Sequence, residues 1–201
     1  MKLTERARRL NLASGRLDLP PVILVSDVER LPDPSAALER LPAGSAVLVR
    51  HPDGKARAKL AERLLPLTHL FGIRLLISDD LALALDLCAD GLHLPEAIAA
   101  TDAALGIRRA WRGRLLTMAA HSPAALLRCA RIGADAAIVS PVFATASHPG
   151  RRPIGLLRFM TWVQRAPVPV YAMGGITAAS IGRLCHPKVA GVAAIEGLVS
   201  E

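Results

Sequence analysis

Short apolar runs recur along the chain, each closed by polar residues and followed by a segment with helical spacing. They are VILV at 22–25, SAVLV at 45–49, RLLI at 74–77, ADGLHL at 89–94, RLLTMA at 114–119, GADAAIV at 133–139, VPVYA at 168–172 and VAGVAAI at 189–195. Near-continuous apolarity over so few residues marks strands buried on both faces. The spacing between them predicts helices over 55–65, 81–88, 102–111, 123–132 and 153–164, and another running from Thr177 through Arg183 and Leu184. Ser122 is a good N-cap for the segment PAALLRCARI, and Pro123 suits its first position. Ser78 or Asp79 can cap the segment at 81–88. Ahead of all these, 3–12 sets Leu3, Ala7, Leu10 and Leu12 among basic residues, an amphipathic helix. Pro20 and Pro21 then break the chain before the first strand, and 32–41 has room only for a short helix.

Eight strand-like runs spaced by roughly 25 residues, with helical runs between, predict an α/β fold, a compact (βα)8 TIM barrel. An open dinucleotide-binding sheet fits less well, because no GxGxxG follows an early strand. The expected organisation is a single domain over 1–201, with 1–19 as an N-terminal helical extension. The sequence stops soon after the eighth strand, so a shortened C-terminal end is expected, with the last outer helix missing or replaced. The amino-terminal helix, another subunit of a homo-oligomer, or simple exposure could account for that face.

Composition narrows the function. The chain is 52% hydrophobic but only 3% aromatic, so Leu, Ala, Ile and Val must build the core. A formal charge of +8 favours anionic ligands. The arginines are scattered, without zinc-finger spacing or an aromatic platform for bases, so no nucleic-acid partner is expected. Cys88, Cys129 and Cys185 stand singly and form no CxxC pair, which argues for a reducing compartment and against zinc. No run of about 20 apolar residues occurs, so no membrane partner is expected and the location is taken as cytoplasmic.

In a barrel all strand exits meet on one rim. That rim would collect Arg50, Asp79, His93, His121, Gly175 and Glu196 with the loop SPVFATASHPGRR at 140–152, which brings Thr145, Ser147, His148, Arg151 and Arg152. Hydroxyls, imidazoles and cations on one rim suit an anionic small molecule. His93 interrupts an apolar run, so it either makes a satisfied core hydrogen bond or faces a ligand cavity.

The segments LLISD at 75–79, DLALALDLCADGLHLPE at 80–96, GADAAIVSPVFATAS at 133–147 and PVYAMGGIT at 169–177 resemble thiamine phosphate synthase and its TenI-group relatives. ADGLHLPE and SPVFATAS together are quite specific, and order and spacing are kept over most of the chain. The resemblance implies the (βα)8 barrel and a phosphorylated heterocyclic substrate. Synthases of the family join a hydroxymethylpyrimidine diphosphate to a thiazole phosphate with Mg²⁺, releasing pyrophosphate in a dissociative substitution. It further implies that Arg50 binds diphosphate, that Asp79 is a metal-binding Asp, and that Ser78 stands where Asn is common. Thr145 and Ser147 would be hydroxyls near the leaving group or thiazole, and Gly174 and Gly175 would bring backbone close to phosphate.

The sequence departs from the family pattern at the same places. Leu48 and Pro52 replace Gln and Lys beside Arg50, and Ala97 and Ile98 occupy the region of a second metal-binding Asp. Ala119 replaces a Ser, and His148 replaces a Lys with a group only partly charged near neutral pH. Glu196 stands where Ser would sit near phosphate, so it must turn away or pair with Arg151 or Arg152. The acid/base His of the tautomerase branch matches Pro141, leaving His121 or His93 for such work. Two classes follow: a synthase-like enzyme on a phosphorylated pyrimidine or thiazole, or a barrel that binds a small molecule or partner without turnover.

Overall fold

The computed structural model describes residues 2–145 and 152–198. Every apolar run becomes a strand: β1 Val22–Val25, β2 Ala46–Val49, β3 Arg74–Ser78, β4 Gly91–Leu94, β5 Leu115–Ala120, β6 Ala136–Val139, β7 Val170–Met173 and β8 Val189–Ala194. Each pairs in parallel with the next, and β8 pairs with β1, closing the barrel in chain order.

Alternate residues of a strand face opposite sides, and the register makes the inward set continuous. Leu48 lies beside Leu76, Ser78 beside His93, and His93 beside Thr117. Ala119 lies beside Ile138, Ile138 beside Tyr171, Tyr171 beside Gly191, and Ala193 beside Ile23. Inside the barrel, Ile23, Leu48, Leu76, Ile138, Tyr171 and Ala193 form one buried cluster. The opposite parity, including Val22, Leu24, Val47, Leu75, Ile77 and Val192, packs outward under the helices as a second cluster.

Tyr171 closes the amino-terminal end of the barrel. Its hydroxyl donates to the Pro20 carbonyl at 2.7 Å, so the one buried phenol has its partner. Gly191 leaves room for this: a Cβ there would sit 2.3 Å from Pro21 O and 3.0 Å from the Tyr171 ring.

The outer layer is α1 Leu3–Ser14, α2 Ser35–Leu38, α3 Gly54–Phe71, α4 Leu81–Asp86, α5 Glu96–Ala99, α6 Ala103–Ala110, α7 Pro123–Ile132 and α8 Leu156–Arg165. Ser122 caps α7 as expected, its Oγ accepting from Ala125 N at 3.2 Å with Pro123 in the first turn. Two local expectations are corrected. Asp80, not Ser78 or Asp79, caps α4, its Oδ1 accepting from Leu83 N at 3.0 Å. The segment after β7 makes only a 3₁₀ turn, Ile181–Leu184, in place of an α-helix. Its first residues are tied into a tight turn, with Thr177 N donating to Ser180 Oγ at 2.9 Å and Ser180 N to Thr177 Oγ1 at 3.2 Å. Pro187 follows too closely for further helical turns.

Among the described residues no helix follows β8. Its outer face is covered by α1, which turns Leu3, Ala7, Leu10 and Asn11 inward and packs on β8 and the 3₁₀ turn. Asn11 is the polar member of that face. Its amide nitrogen lies 2.7 Å from Ala190 O, 3.0 Å from Arg16 O and 3.3 Å from Leu19 O, serving carbonyls of β8 and of the link to β1. Of the alternatives for that face, the amino-terminal helix is the one realised. No helix among the described residues is long and apolar enough to cross a membrane.

Removing the Asn11 amide takes the donor from the buried contacts with the Ala190 and Leu19 carbonyls. Asn11→Ala is expected to lower unfolding stability by about 2 kcal/mol, read as a lower urea midpoint with an unchanged slope.

Candidate functional site

The carboxyl ends of the strands open into a cavity of about 240 Å³. Of the residues singled out in the sequence, Arg50, Ser78, His93, His121, Thr145 and Gly174 line it together. Val25, Leu48, Ile138 and Met173 supply its apolar wall. Gly175 and Glu196 line an adjoining cavity of about 350 Å³ between the exits of β7 and β8, with Arg30, Gly174 and Thr145. Asp79 is not brought to either wall: it is exposed at the exit of β3 with a left-handed φ of 55°. Ser147, His148 and Arg151 lie outside the described residues.

Arg50 follows β2 directly, and its backbone is pinned by Ser26, whose Oγ accepts from Arg50 N at 2.8 Å and donates to Arg50 O at 3.0 Å. Its guanidinium donates through Nη2 to Asp27 at 2.6 Å. Asp27 also shapes the turn after β1, its Oδ1 lying 3.3 Å from the N–H groups of both Glu29 and Arg30. Burial alone would raise the Asp27 pKa, but those N–H groups and the Arg50 guanidinium outweigh it and hold the carboxyl below its ordinary value.

His93 points inward from β4, where both expected environments hold at once. Its Nδ1 is 2.9 Å from Thr117 Oγ1 on β5, and the ring also lines the cavity. Burial, with the charges of Arg50 and His121 nearby, pushes its pKa down to about 4, so the ring is neutral at pH 7. His121, at the exit of β5, places Nδ1 2.8 Å from the Ser140 carbonyl. A carbonyl only accepts, so Nδ1 carries the proton and Nε2 keeps the lone pair of the neutral ring. The backbone beneath it is fixed by Glu96, which accepts from His121 N at 2.7 Å and from Arg128 Nη2 at 2.7 Å.

Gly174 and Gly175 take φ values of 92° and 64° as the chain turns out of β7. A Cβ on Gly174 would meet Pro141 at 2.9 Å, and one on Gly175 would meet Ala144 O at 2.3 Å. The turn after β7 is therefore pressed against the start of the loop after β6, which forms the wall shared by the two cavities.

Mg²⁺ is held by oxygen ligands, commonly carboxylates with water and phosphate. The carboxylates around this mouth are otherwise engaged: Asp27 by Arg50, Asp80 by Arg57 at 2.9 Å, Glu96 by Arg128, and Glu196 by Arg30. Asp79 stands apart, α5 occupies the positions of Ala97 and Ile98, and no cluster of three or more His, Cys, Asp or Glu among the described residues is placed to hold a metal ion. The donors present do not fit a two-carboxylate Mg²⁺ site.

Asp27, Arg30, Glu96 and Thr117 are site residues that the sequence analysis did not single out. Asp27 and Glu96 were in principle within reach, since each follows a predicted strand. Thr117 had a weaker signal, sharing strand parity with Leu115 and Ala119. Arg30 had none, because it arrives through a turn whose shape depends on the Asp27 carboxylate.

A histidine with a folded pKa of about 4 and an ordinary unfolded value destabilises the fold as pH falls between the two, because the unfolded chain binds the proton first. Between pH 7 and pH 4 this ring is expected to cost about 3 kcal/mol. His93→Gln should therefore lose less stability over that interval than the unsubstituted protein by about that amount, measured by urea unfolding at both pH values.

A family model described as Thiamine monophosphate synthase matches residues 23–198. A putative thiamine-phosphate synthase 2 of Aquifex aeolicus is 36% identical over 138 residues, covering 68% of this chain and 72% of the relative. A putative thiamine-phosphate synthase of Geobacter sulfurreducens is 33% identical over 144 residues, covering 71% of this chain and 67% of the relative. The solved thiamine phosphate pyrophosphorylase of Pyrococcus furiosus superposes with a TM-score of 0.72 at 22% identity, over 90% of this chain and 88% of that one, a likeness of fold. With the family match running from the first strand past the last, the chain belongs to the thiamine monophosphate synthase and TenI family.

Proposed function

We propose that the protein acts in thiamine biosynthesis as a thiamine phosphate synthase-like enzyme that binds a phosphorylated pyrimidine or thiazole at the barrel mouth. The observation that carries this reading is the convergence of Arg50, Ser78, His93, His121, Thr145 and Gly174 on one cavity, in a chain of this family.

Arg50 takes the phosphate end. Asp27 holds its Nη2, so the planar fork is fixed in orientation while its remaining N–H groups can serve phosphate oxygens. When a diphosphate leaves before the new bond forms, negative charge grows on the departing group and positive charge on the pyrimidine. Arg50 stabilises the first, and the apolar wall of Val25, Leu48 and Ile138 lowers the local dielectric and strengthens the effect. His93 serves the second by staying neutral, since an imidazolium beside the pyrimidine would oppose the developing cation. Ser78 offers a hydroxyl on the cavity wall to ring nitrogens or an exocyclic amine, and the Nε2 lone pair of His121 can take a proton released on the cavity side. None of these steps draws on a protein-held metal.

A second reading, a barrel that binds its ligand without turnover, is favoured by the engagement of Arg50 with Asp27 and by the unsuitable metal donors. The two readings share a binding site and differ in release of pyrophosphate. Calorimetric titration with the pyrimidine diphosphate, with and without Mg²⁺, is expected to show binding that Arg50→Ala weakens by about 10- to 100-fold, with an unchanged circular dichroism spectrum. Absence of binding by the unsubstituted protein in both conditions would remove the enzyme reading. Binding without pyrophosphate release when either the hydroxyalkylthiazole or its phosphate is added would favour the second.

A further inference from the structure

The cavity between the exits of β7 and β8 adjoins the first across Thr145, Met173, Gly174 and Ile195. The left-handed turn at Gly174 and Gly175 leaves the N–H groups of Gly175 and Ile176 without a hydrogen bond among the described residues, and that of Gly197 likewise. Successive unsatisfied N–H groups in such a turn make an anion-attracting concavity. Left to the backbone alone, this end of the mouth would take a phosphate.

The chain supplies its own anion instead. Glu196 lines the same cavity and pairs with Arg30, the cation among the described lining residues. That bond holds the Glu196 carboxyl below the usual glutamate range, so it is charged at neutral pH. A phosphate monoester arriving there would set nearly two negative charges beside a carboxylate that already has its arginine. An alcohol meets no such repulsion: its hydroxyl can donate to Glu196 and accept from the N–H groups of the turn.

We propose that Glu196 sets the tail specificity of the site: the heterocycle end lying between β7 and β8 carries an uncharged hydroxyl, and any phosphate on the ligand lies at the Arg50 end. This rests on the heterocycle site at the barrel mouth and names the class of ligand it takes.

The test compares a hydroxyalkylthiazole with its phosphate monoester by equilibrium titration, at low and high salt. The unsubstituted protein is expected to prefer the alcohol by about tenfold at low salt, with the preference shrinking as salt screens the repulsion. Glu196→Gln keeps the side-chain shape without the charge and is expected to move the ratio at least tenfold toward the phosphate. Tighter binding of the phosphate by the unsubstituted protein, or an unchanged ratio in Glu196→Gln with an unchanged melting temperature, overturns the proposal and leaves the heterocycle site standing. Binding of neither compound by either protein overturns both. Should Glu196→Gln fail to fold, the alcohol preference and its salt dependence in the unsubstituted protein decide the matter alone.

Discussion

Eight parallel strands close only when the inward side chains of each lie level with those of its neighbours, and this register governs what the mouth can contain. The chain meets it with small and branched residues at the lower levels, and with Tyr171 filling the floor where Gly191 makes room. Polar inward residues can then appear only above that floor, and Ser78, His93 and Thr117 do so side by side on three adjacent strands. The cavity is thus a product of closure: a sealed lower barrel, one open end, and polar groups collected from strands far apart in sequence.

Among the described residues of that rim, charge is distributed in pairs. Asp27 with Arg50, Asp80 with Arg57, Glu96 with Arg128 and Glu196 with Arg30 link neighbouring strand exits or loops. Partly exposed pairs of this kind contribute little to stability, on the order of 0–1 kcal/mol each. Their effect is on direction. An arginine tied to a carboxylate points one way and presents what remains of its fork. His93 adds to this by losing its own charge to burial.

The architecture was legible because each buried strand announces itself as an apolar run ended by polar residues, and all eight appear at the expected places. The family resemblance pointed to Arg50, Ser78, Thr145 and Gly174, which line one cavity. Partners were harder to read. That Arg50 answers to Asp27 and Glu196 to Arg30 depends on how the turn after β1 folds back, with Asp27 and Leu31 exchanging backbone hydrogen bonds. Asp79 is a different case: the motif names it, while its backbone takes a left-handed φ at the exit of β3 and Asp80 takes the helix cap. The missing α-helix after β7 is a third case, since a local Thr177 and Ser180 turn overrides the apolar spacing that followed.

The cover of β8 by α1 has a bearing on how the protein reaches its folded state. Most of the barrel is assembled from neighbours in sequence, each strand docking on the one before. Asn11 and Ala190 stand 179 residues apart, and their bond belongs to the same seam that joins β1 to β8. Contacts of such separation are the costly ones in chain entropy and slow a folding reaction. The first helix therefore lies across a seam whose other half is the last strand of the chain, so its packing surface exists only once β8 is in place, and the pairing of β8 with β1 leaves the sheet without a free edge.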